Sequence, residues 1–82
     1  MMNVYYKKQL LGEILKPDID NYHLFGEWKF LNENVYSLFK KDLQELGQVS
    51  VSLNKDGTRT GTVEEESLEE IATEIEINLD VI

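Results

Sequence analysis

The stretch Ile71-Ala72-Thr73-Glu74-Ile75-Glu76-Ile77-Asn78-Leu79-Asp80-Val81 decides the fold class. Its odd positions are apolar or β-branched and most of its even positions are polar or acidic. A period of two over this length predicts one long strand with a buried face and a wet, acidic face. A helix would scatter the same isoleucines around its circumference.

Working back from that strand, Val49, Val51 and Leu53 alternate with Ser50, Ser52 and Asn54. An Asp56-Gly57 pair follows, then a second alternating run to Val63. Asp-Gly between two such runs predicts a hairpin closed by a type I′ turn, with strands at 48–55 and 58–64. The segment between the hairpin and the last strand, Glu64 to Glu70, reads as an acidic loop, although Ser67-x-x-Glu70 has the form of a capping box.

Residues 33–46 change period. Val35, Leu38, Phe39, Leu43 and Leu46 recur at three- to five-residue spacing, Asn32 or Asn34 offers an N-cap, and Gly47 offers a left-handed C-cap. This segment predicts one helix. Ahead of it, Tyr22, Leu24, Trp28 and Phe30 share one face of a strand that also carries His23, Phe25 and Leu31 on the other, so part of its second face needs a cover. The first segment, Val4 to Leu15, reads as a strand whose phase slips at Leu10-Leu11-Gly12, the mark of a bulge or bend. Pro17, Asp18, Asp20 and Asn21 read as a loop.

The expected order is ββαβββ in one α+β domain spanning 1–82: an antiparallel, curved sheet of about five strands packed on one helix. The alternative is a small, partly open β-barrel with one helix.

Composition narrows the chemistry. The chain has 82 residues, no cysteine and a single histidine, His23. Disulfides and zinc clusters of the usual ligand types are therefore excluded, and no metal or cofactor is expected. A chain this short needs packing or a partner for stability. Without an apolar run of signal-peptide or membrane-spanning length, the expected location is the cytoplasm and no membrane partner is expected.

Catalytic patterns are also missing. Asp20, His23 and a serine such as Ser37 have no context that makes them a nucleophilic set, and Gly57-x-x-x-Gly61 lacks the Lys-Ser/Thr of a phosphate loop. These two glycines read as serving a turn and a bulge. Setting Gly57 at the glycine of a calcium loop puts Val63 where a bidentate glutamate belongs. No catalytic residue is assigned, and the chain is not expected to be an enzyme.

The net charge of −8 is unevenly spread. Residues 1–41 carry six lysines and five acids, whereas residues 42–82 carry two bases and eleven acids. Such a field repels nucleic acid and speeds encounter with basic partners. Size, acidity and α+β makeup resemble those of the small immunity proteins that neutralise bacterial toxins. That resemblance is one of class and assigns no residues.

The expected function is thus a small acidic protein-binding module, of inhibitor, immunity or regulatory type. Its partner-binding residues would be Glu64, Glu65, Glu66, Glu74, Glu76 and Asp80, facing a basic protein, and Phe25, Leu31 or Tyr5 would serve as an aromatic or apolar anchor. The plainer reading of the acids is that they keep a long strand soluble and blunt edge pairing. The alternative function is a homodimer or other homo-oligomeric structural or accessory protein.

Overall fold

In the computed structural model, residues 2–65 and 74–80 are described. Among the described residues, seven strands and one helix run in the order β1 (Met2–Tyr6), β2 (Gln9–Ile14), β3 (Asp18–Asp20), β4 (His23–Phe30), α1 (Glu33–Leu46), β5 (Gln48–Ser52), β6 (Thr60–Glu64) and β7 (Glu74–Leu79). Hydrogen-bonded neighbours follow the order β2-β1-β5-β6-β7-β4-β3, and β2 also pairs with β4. That last pairing closes six strands into an antiparallel barrel, with β3 as an extra strand on β4. The α+β class holds, and the arrangement is the barrel rather than the open curved sheet.

Closure follows from the length of β4. His23–Glu27 pair with β7 on one edge, while Trp28–Phe30 pair with Ile14–Gly12 of β2 on the other. A strand satisfied on both edges offers no sheet end, and barrels remove exposed edges in this way.

The first segment is two strands rather than one. Lys7 and Lys8 both have positive φ (49° and 68°) between the paired Tyr6 and Gln9, which is the backbone of a tight two-residue hairpin turn. The phase slip is a bulge: Val4 faces Gly12 and Tyr5 faces Leu10, leaving Leu11 unpaired and turned fully into the core.

The 17–21 loop likewise contains a strand. β3 continues the line of β2 along β4 after a one-residue register shift at Pro17, which lacks an N–H for the ladder. A second tight turn at Asn21 (φ 52°) and Tyr22 (φ 71°) returns the chain into β4.

The Asp56-Gly57 hairpin exists with shorter strands and a different turn. Gly57 has φ 75° but Asp56 does not have positive φ, so the turn is not type I′. Side chains tie the longer loop instead: Asn54 Nδ2 donates to Thr58 Oγ1 at 2.8 Å, and Thr58 N donates to Asp56 Oδ1 at 3.1 Å. Gly61 lies in a regular ladder and not in a bulge. It is required there because a Cβ would sit 2.4 Å from Ile77 Cγ2 and 2.9 Å from Asn78 O.

The helix spans 33–46 as the sequence predicts. Asn32 Oδ1 accepts from Val35 N at 3.2 Å, and Gly47, at φ 80°, donates its N–H to Leu43 O at 3.0 Å. Its buried face is Val35, Tyr36, Phe39 and Leu43; Leu38 and Leu46, expected on that face, are exposed. Tyr36 takes the place of Leu38 because its ring stacks on Phe30 (4.3 Å between centroids) and meets the edge of Trp28 (6.0 Å). Connecting the end of β4 to the start of β5, α1 closes one end of the barrel over a core that includes Leu11, Ile14, Leu24, Ile75 and Ile77.

The final strand is described over Glu74–Leu79, with Ile75 and Ile77 inward and Glu74 and Glu76 outward, as the alternation predicts. The expected acidic loop Glu64–Glu70 begins as strand instead, since β6 reaches Glu64; its residues 66–70 with the capping box, and Ile71–Thr73 and Val81, lie outside the described residues. Among the described residues no helix is long and apolar enough to cross a membrane.

Candidate functional site

Alternation sends His23, Phe25 and Glu27 of β4 to the outside of the barrel, as it does Glu74 and Glu76 of β7. Antiparallel registers then set their neighbours. Phe25 lies between Asp18 on β3 and Glu76 on β7, His23 lies between Asp20 and Asn78, and Glu27 faces Glu74. Directly opposed side chains in such pairs sit about 4.5–5.5 Å apart at Cβ. The result is an aromatic ring, 40% exposed, held inside a frame of carboxylates.

His23 Nδ1 is 3.0 Å from Glu76 Oε1, and both side chains are half exposed. Beside them an open recess of about 460 Å³ is lined by Asp20, Asn21, His23, Phe25, Glu74, Ile75 and Glu76, with no lysine or arginine in its wall. Such a recess suits a cationic side chain: its aliphatic stem can lie on the phenyl face while its charged end reaches carboxylate oxygens.

The residues expected to bind a partner divide into groups. Glu74, Glu76 and Phe25 come together in this recess. Glu64 and Glu65 are exposed at the C-terminal end of β6, Glu64 opposite Gln48 and Glu65 N donating to Gly47 O at 2.9 Å beside the C-terminus of α1, and neither lines the recess. Glu66 lies outside the described residues.

Asp80 is not in the recess either. Its carboxylate accepts from the Thr60 hydroxyl at the opposite end of the barrel from α1. Among the expected anchors, Leu31 is exposed next to the helix N-terminus and Tyr5 is half-buried at the seam where β1 meets Ser52 of β5. Neither is a neighbour of Phe25.

Asp18, Asp20, His23 and Glu27 complete the face and were not assigned to it from sequence. The signal for two of them is present in Asp18-Ile19-Asp20, a short alternation hidden by the preceding proline. Among the described residues no group of three histidine, aspartate or glutamate side chains is arranged to hold a metal ion. No protein-family model, curated protein or solved structure matches the chain.

Proposed function

We propose that the chain is a small acidic protein-binding module, of inhibitor, immunity or regulatory type, and that it engages a basic partner through the outer face of β3, β4 and β7. The observation that carries this reading is the seating of Phe25 between Asp18 and Glu76. Carboxylates alone would serve solubility, and an aromatic alone would be an ordinary exposed ring. An aromatic framed by same-sign charge combines the apolar anchor and the electrostatic rim that protein interfaces use.

Within this reading Glu74, Glu76, Asp18 and Asp20 supply the charge, Phe25 is the anchor, and His23 orients Glu76. The test is capture from host lysate at low salt with wild-type bait and with bait carrying Glu74→Lys and Glu76→Lys. A protein held by the first and lost by the second supports the reading. Equal capture by both baits contradicts it.

A second reading is a homo-oligomeric structural or accessory protein. Leu31 and Leu38, 44% and 41% exposed near the N-terminal half of α1, favour it because they stand apart from the acidic face, where two copies would repel. A solution mass that stays at one chain across concentrations would remove this alternative.

A further inference from the structure

We propose that the open mouth of the barrel binds a short zwitterion with an apolar side chain, an α-amino acid or a dipeptide. The mouth lies where β4 and β6 begin and β5 and β7 end, opposite the end closed by α1. It holds a recess of about 780 Å³, within the size range of small-molecule sites, and barrel mouths are a common place for them.

Its walls are tied together rather than loose. Leu79 N donates to Tyr22 O at 2.8 Å, Asp80 N to Thr60 O at 3.1 Å, and Leu53 N to Arg59 O at 2.8 Å. Three apolar side chains face the space: Ile19 and Tyr22, 48% and 57% exposed, and the partly buried Leu79. Tyr22 stands there at φ 71°, a backbone conformation that costs an aromatic residue energy and a glycine none. Tyr22 at this strained turn and Ile19 on the adjoining β3 thus leave apolar surface in water.

The polar part of the wall selects the ligand class. Arg59, the only arginine of the chain, and Asp80 line the same recess without forming an ion pair; the ion pairs among the described residues are Lys7–Asp42 and His23–Glu76. The Thr60 hydroxyl holds Asp80 Oδ2, which fixes the carboxylate. A lone anion would meet Arg59 but also Asp80 and a protein of net charge −8. A lone cation would meet Arg59. A zwitterion carries no net charge, offers its carboxylate to the guanidinium and its ammonium to Asp80, and lays its side chain on Ile19, Tyr22 and Leu79.

The experiment is a titration of the full chain followed by amide NMR, using L-leucine, L-phenylalanine and glycyl-L-phenylalanine, with N-acetyl-L-phenylalanine amide as the uncharged control. Saturable shifts are expected at Ile19, Tyr22, Arg59, Thr60 and Leu79, with affinity weakened about tenfold or more in both Arg59→Gln and Asp80→Asn. Tighter binding of the free amino acids or of the dipeptide decides between the two sources. Both variants change exposed side chains, and their amide dispersion reports folding in the same spectra. Absence of saturable shifts at the mouth with all three zwitterions would overturn the proposal. So would equal binding of the uncharged control, or affinity unchanged in both variants. Arg59 and Asp80 lie outside the recess around Phe25, so the outcome in these variants is distinguishable from the outcome for the proposed function.

Discussion

At the scale of single residues, the tie between Tyr6 and Asp42 joins strand to helix. The Tyr6 hydroxyl donates to Asp42 Oδ2 at 2.6 Å, and Lys7 Nζ lies 3.3 Å from the same oxygen. The Tyr6 bond, followed by Lys7 and Lys41 and opposed by partial burial, holds the Asp42 carboxyl below its ordinary value. Burial, reinforced by Asp42, raises the Tyr6 phenol. A depressed carboxyl contributes stability above its unfolded value and loses it as pH falls through the folded one. A raised phenol contributes stability below its unfolded value and loses it as pH rises toward the folded one. Wild type should therefore exceed Tyr6→Phe in stability most at neutral pH, with the gap narrowing in acid and in strong base. Denaturation midpoints of both proteins across pH check this. A gap independent of pH would mean that packing alone distinguishes them.

Among the elements, the tight turns explain both a prediction and a blind spot. Lys8 occupies left-handed backbone in a two-residue hairpin, where glycine fits without a Cβ penalty. Lys8→Gly should stabilise the fold by about 0.5 to 1 kcal/mol, measured by chemical denaturation; a loss of stability would show that the lysine side chain contributes more than its backbone costs. For the same reason these turns were illegible. Lys7-Lys8 and Asn21-Tyr22 contain no glycine, so β1 and β2 read as one bent strand and β3 as loop. The helix was legible because Asn32, Gly47 and the 3.6-residue period agree, and β7 because strict alternation has one reading. Leu38 went to the wrong side because helical spacing does not reveal that Trp28 and Phe30 present a surface fitted to Tyr36.

For the whole molecule, barrel closure is a long-range fact that no local period encodes. Nothing near β4 in sequence announces that it spends one edge on β7 and the other on β2. The β6–β7 ladder is likewise tight at Gly61, where Ile77 and the Asn78 carbonyl leave no room for a methyl. Gly61→Ala should cost about 1 to 3 kcal/mol in thermal or chemical unfolding, and a neutral outcome would mean the seam is looser than this packing requires.

The candidate site shared the same limits. Phe25, Glu74 and Glu76 were accessible from alternation alone, whereas Asp18 and Asp20 join them only through the β3–β4 ladder. Glu64, Glu65 and Asp80 carry the right charge but do not line this recess.

If charge and one aromatic ring act together on this face, both should show in the affinity for the captured protein measured against salt with wild type and Phe25→Ser. Wild-type affinity should fall steeply as salt rises. Phe25→Ser should bind about tenfold or more weakly at every salt concentration while keeping a cooperative unfolding transition that shows it still folded. An affinity indifferent to salt and to the loss of the ring would contradict the account.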